Sequence, residues 1–119
     1  MEKKIENAIP VLPVRNLNES IEFYVTKLGF MEDWRGDVVG SVSRDGHCIM
    51  LSEVTGTSEP GWVWIGMNDA TLWDGYRENG VTVHQEPQNH DWAYEMKYED
   101  LDGNVLWMGT TPRDDLPKV

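Results

Sequence analysis

Cysteine is nearly absent from this chain: Cys48 is the only one in 119 residues. A single thiol closes no internal disulfide and builds no multi-cysteine zinc site, so packing must hold the fold. Basic residues are scarce too, ten against twenty-one acidic ones, for a formal charge of -11. Such a surface repels phosphate backbones and anionic lipid and attracts cations, which argues against nucleic acid as a partner. Long apolar runs are also missing. Nothing approaches the roughly 20 residues a membrane helix needs, so no membrane partner is expected. The opening Met1-Glu2-Lys3-Lys4-Ile5-Glu6-Asn7 lacks the apolar core of a signal peptide. The expectation is a cytoplasmic protein folded as one domain spanning residues 1–119.

What is present reads as one paragraph written twice. Ile9-Pro10-Val11-Leu12-Pro13-Val14 is a short apolar strand, followed by Arg15-Asn16-Leu17-Asn18, where an asparagine can cap a helix. Ile21, Tyr24, Val25 and Leu28 then repeat at helical spacing, and Gly29 ends the helix. Segments 31–36, 38–44 and 46–53 read as strands, the last two joined by a tight turn at Arg44-Asp45-Gly46. The polar linker 54–60 leads to Trp62-Val63-Trp64-Ile65. A helix follows, capped near Asn68 or Asp69, with Leu72, Trp73 and Tyr76 on its stripe and Gly80 at its end. A strand from Val81, a loop at 86–91, a strand at 93–99, the turn Leu101-Asp102-Gly103 and the strand 104–108 complete the second copy. The spacing predicts two βαβββ modules, about 8–53 and 61–110, in an α+β domain. Length and alternation alone also permit an unrelated α+β sandwich.

Alternation divides each strand into two faces. Pro10, Leu12, Val14, Ile49, Leu51, Val63, Ile65, Leu106 and Met108 make an aliphatic face suited to lie under the helices. The opposite face collects Ile9, Val11, Cys48, Met50, Ser52, Trp62, Trp64, Val105 and Trp107. It too is apolar, so protein, a ligand or both must cover it. Three tryptophans, with Met50 and Cys48 as soft fillers, suit a cup for planar molecules. They also suit the interior of a strongly curled sheet.

Within this pattern, Ala8-Ile9-Pro10-Val11-Leu12, Ser20-Ile21-Glu22-Phe23-Tyr24, Lys27-Leu28-Gly29-Phe30, Trp62-Val63-Trp64-Ile65 and Asp100-Leu101-Asp102-Gly103-Asn104 resemble the glyoxalase, bleomycin resistance and extradiol dioxygenase superfamily. The first and fourth of these elements look most like its bleomycin resistance branch. The resemblance implies curled mixed sheets with helices on the outer face, in a homodimer that exchanges its first strand, Pro10 matching a hinge. It also implies sequestration, without a metal or other cofactor, of a cationic small molecule such as a glycopeptide antibiotic in clefts at the subunit interface. The enzymes of the superfamily hold a divalent metal on the first and last strands of a module. The matching positions here are Ile9, approximately Pro60, Met50 and Trp107, none an ordinary ligand. A register slip of one would bring in His47, Leu51, Leu106 or Met108.

By the same resemblance Trp34 lines the cleft, Ser52 lies in its floor, Trp62 on its wall and Trp92 in a neighbouring loop. Val39 stands where the family has an aromatic residue. Glu95 would project to the cup and meet a cation. The expected lining is therefore Trp34, Val39, Cys48, Met50, Ser52, Trp62, Trp64, Trp92, Glu95 and Trp107. No catalytic residue is expected: Cys48 and His47 are strand neighbours and point apart, and His84 with Glu86 lacks further metal ligands. The open alternatives are a metal-dependent lyase, isomerase or dioxygenase of the superfamily, and a binding module for another metabolite.

Overall fold

Apolar alternation decides the layering, and the chain follows it closely. The computed structural model describes residues 2–119. It runs β1 (Val11–Val14), α1 (Leu17–Leu28), β2 (Met31–Arg35), β3 (Val39–Arg44), β4 (His47–Glu53), then β5 (Trp62–Gly66), α2 (Thr71–Glu78), β6 (Val83–Asn89), β7 (Tyr94–Glu99) and β8 (Val105–Thr110). Two four-stranded sheets result, ordered β1-β4-β3-β2 and β5-β8-β7-β6. In each, the first strand of the module pairs parallel with the last and the remaining pairs are antiparallel. This is an α+β fold built from a repeated βαβββ unit. Among the described residues no helix is long and apolar enough to cross a membrane.

Local chemistry sets the helix ends. Asn16 accepts from the Glu19 backbone N–H at 2.9 Å, and Gly29 takes the left-handed conformation at φ 73° that closes α1. Arg44 donates to the carbonyls of Leu28 and Gly29 at the helix end. The second helix begins after Asp69, whose carboxylate accepts from Thr71 N–H and hydroxyl.

One face of each sheet packs under the helices in a single cluster that includes Leu12, Ile21, Tyr24, Leu51, Trp73, Tyr98, Leu106 and Met108. Buried polar groups tie the modules together. Asp100 accepts from Tyr24 Oη at 2.7 Å, from Asn104 Nδ2, and from the backbone N–H groups of Asp102 and Asn104. Asn104 in turn donates to the carbonyl of Pro13 and accepts from Gly61 N–H. Burial pushes the Asp100 carboxyl above the usual carboxylate range, outweighing these donors, and pushes the Tyr24 hydroxyl well up.

The sequence reading needs three corrections here. The segment 86–89 belongs to strand β6, which carries two register shifts and so lacks clean alternation. Val81 is a buried residue before that strand, not its start. The first strand begins at Val11, although Pro10 still accepts from Met50 N–H. The C-terminal tail lies over the surface, where Asn89 bonds Arg113 N–H and the carbonyls of Arg113 and Leu116, and Val119 N–H reaches the Asn89 carbonyl.

Candidate functional site

The face of each sheet turned away from the helices is open, and the strand register shows what it carries. On the first sheet Val11, Met50, Ser41 and Trp34 form one cross-strand row, and Pro13, Ser52 and Val39 the next. Cys48 lies opposite Ser43. Cys48, Met50, Ser52 and Val39 are half-buried, whereas Val11 and Trp34 are exposed. A bulge between Glu32 and Trp34 breaks alternation, so Asp33 joins Trp34 on this face and accepts from Ser41 Oγ at 3.0 Å and Ser43 Oγ at 2.7 Å.

On the second sheet the corresponding rows are Trp64, Trp107, Lys97 and Gln85, then Trp62, Val105 and Glu99, then Gly66, Gly109, Glu95 and Gln88. Trp107 stands edge-on to Trp64 at 5.2 Å and to Trp62 at 6.4 Å between ring centroids. Trp62 and Trp64 are 54% and 48% exposed, a large apolar area left to water. The Trp64 indole lies across Gly109, where any Cβ would clash with carbons Cη2, Cζ3 and Cζ2 of its six-membered ring. Gly109→Ala is therefore expected to displace Trp64, seen as a shift in tryptophan emission. The fold should persist, because only a side chain facing solvent must move.

Charged groups thread this aromatic wall. Lys97 Nζ lies 5.2 Å from the Trp107 ring centroid and 5.8 Å from that of Trp62, and it donates to Gln85 Oε1 at 2.8 Å. Glu95 is 3% exposed, accepts from Trp107 Nε1 at 2.9 Å and lies 3.4 Å from His90 Nε2. It projects to the open face as expected, but its carboxylate is already held and is not free to meet a cation. Trp92 stacks on His90 at 4.3 Å, outside the sheet and 67% exposed. His84 pairs through Nδ1 with Glu99 and packs on Trp62, whereas Glu86 pairs with Arg77. His84 and Glu86 therefore do not share a face; a second bulge, between Val83 and Gln85, turns His84 toward the wall.

The expected lining thus falls into two groups, Trp34, Val39, Cys48, Met50 and Ser52 on one sheet and Trp62, Trp64, Glu95 and Trp107 on the other. Strands of the two sheets make only marginal approach within one chain. Their edges meet where Gly61 abuts Leu12 and Pro13, and a groove of about 750 Å³ opens beyond, with Ile9, Cys48, Val63, Trp64, Tyr76 and Met108 in its lining. Alternation marks Lys97, two residues from Glu95 and Glu99, as a wall residue that sequence reasoning passed over. Asp33, His84 and Gln85 reach this side through bulges, which leave no such mark.

The metal positions can be checked directly. Met50 is paired with Val11, and Trp107 with Trp64; Pro60 precedes β5. Leu51, Leu106 and Met108 are in the core and His47 is at the exposed start of β4, so a slip of one is not what the chain adopts. Among the described residues no three histidine, cysteine or acidic side chains converge as a metal set. The residues present do not fit the metal that the enzymes of this fold hold.

Comparison with known proteins places this architecture. A bleomycin resistance determinant encoded on the transposon Tn5 superposes with a TM-score of 0.80 at 19% identity, over 90% of this chain and 98% of that one. An integron cassette protein from the mobile metagenome of the Halifax Harbour sewage outfall gives 0.78 at 22% identity, over 89% and 99%. An uncharacterized protein of Shewanella frigidimarina is 28% identical over 116 aligned positions, covering 81% of this chain and 85% of that protein. The family model of the glyoxalase/bleomycin resistance protein/dioxygenase superfamily matches residues 8–108. With nearly the whole repeat inside that match, the chain belongs to this superfamily.

Proposed function

We propose that this protein binds and sequesters a planar small molecule, without a metal and without changing it chemically, on the wall of Trp62, Trp64 and Trp107. The observation that carries this reading is the exposure of two of these rings on a sheet face whose metal positions are apolar. Stacking contributes roughly 0.5–1.5 kcal/mol per aromatic pair beyond buried area, and micromolar affinity needs about 8 kcal/mol, within reach of a few such contacts plus expelled water. The acidic surface, with Asp33 on the first sheet, supplies attraction for a cationic tail. A bleomycin-type antibiotic combines both features and is the leading candidate.

A second copy completes the cup in this reading. The chain is flat, 47 × 46 × 24 Å, with a radius of gyration of 15.4 Å. A compact domain of this length measures about 13.5 Å. Two open apolar faces on a flat molecule are covered most economically by a symmetric partner, which would bring the first sheet of one subunit over the second sheet of the other. Strand exchange about Pro10 belongs to the same proposal.

Titration of tryptophan fluorescence with bleomycin and with planar aromatic compounds of differing charge, followed by mass spectrometry of the recovered compound, tests the function. Saturable quenching with intact compound is expected. An unchanged spectrum at high concentration, a chemically altered compound, or stoichiometric metal in the purified protein would overturn it.

A further inference from the structure

The one ammonium on the tryptophan wall has donors to spare. Each carboxylate on the wall takes one hydrogen bond, Glu95 from Trp107 Nε1 and Glu99 with His84 Nδ1. The donors are less used. Lys97 carries three N–H donors and gives one to Gln85 Oε1. That bond also fixes the orientation of the Gln85 amide, because an ammonium only donates and must face the oxygen. The Gln85 Nε2 group is then left buried with no acceptor among the described residues. The ammonium sits over the rings of Trp62 and Trp107, where a cation from outside would otherwise settle. Surplus donors beside an occupied cation position select a ligand bearing acceptors.

Building on the planar-ligand reading above, we infer that the ring system seated on this wall carries an anionic or strongly accepting group, a carboxylate best, that Lys97 receives. A cationic tail, where the ligand has one, lies away from the wall on the acidic surface. The ligand class is therefore a planar aromatic acid or an amphoteric heteroaromatic molecule, rather than a simple planar cation.

The test uses the full-length protein and three probes sharing one naphthalene ring, bearing a carboxylate, a carboxamide or a methyl group, titrated by fluorescence. The carboxylate is expected to bind about tenfold tighter than the methyl compound, the carboxamide in between. That ratio should fall to about one in Lys97→Met and persist in Lys97→Arg. Equal affinities in the native protein, or a preference unchanged in Lys97→Met, would overturn the inference alone. Absence of binding by all three would overturn the planar-ligand reading and this inference with it.

Discussion

Replacing Asp100 with alanine is expected to lower stability by about 3–5 kcal/mol, the range for opening a buried, multiply bonded acidic group. Four donors converge on that carboxylate, and the change strands the Tyr24 hydroxyl and two backbone N–H groups in the core. The damage falls on the junction between modules, since Tyr24 comes from α1 and Asn104, which also loses a partner, clamps the carbonyl of Pro13. The effect should depend on pH with a definite sign. Burial raises the Asp100 carboxyl in the folded chain, so the fold holds its proton more tightly than the unfolded chain does. Its contribution is full below the ordinary carboxylate value and declines as pH rises through the raised one. The deficit of Asp100→Ala should therefore be larger near pH ~4 than near pH ~7. Denaturant unfolding at the two pH values measures both, and an equal or reversed deficit would contradict the assignment.

Trp107→Ala should have the largest effect on ligand binding. Trp107 is the pivot of the wall: Trp62 and Trp64 stand edge-on to it, Lys97 lies over it, and its N–H holds the buried Glu95 carboxylate. Central aromatic anchors of this kind cost about 2–4 kcal/mol when truncated, or roughly 30- to 1000-fold in affinity. Calorimetric titration of a planar probe reads the loss. Trp107→Phe keeps a ring but not the donor, so it should recover stacking while Glu95 loses its indole N–H partner, giving an intermediate affinity. A Trp107→Ala protein that folds and binds normally would show the ligand to sit elsewhere.

Much of this fold was legible because strand alternation is a strict rule. Leu12, Val14, Ile49, Leu51, Leu106 and Met108 were assigned to the core by parity alone, and each is buried. The same parity put Trp62, Trp64 and Trp107 on the opposite face, where register places them. Illegible parts are those where parity breaks. Trp34 faces the open side only because Asp33 bulges out, and its place came from family resemblance, not from spacing. His84 and Gln85 reach the wall by the matching bulge in β6, and the second shift hid residues 86–89 as a loop. Contact chemistry was equally hidden. Parity sent Glu95 to the right face but could not show that Trp107 already holds it.

Six tryptophans make the central claim open to one measurement. A ¹H–¹⁵N correlation spectrum resolves their indole N–H groups, and titration with bleomycin or a planar aromatic probe reports which rings meet the ligand. The resonances of Trp62, Trp64 and Trp107 are expected to move in a saturable manner. Trp73, buried and directed at Met67 Sδ, should stay in place as the internal reference. Saturable shifts confined to Trp73 or Trp92, with the three wall resonances unmoved, would contradict the central claim.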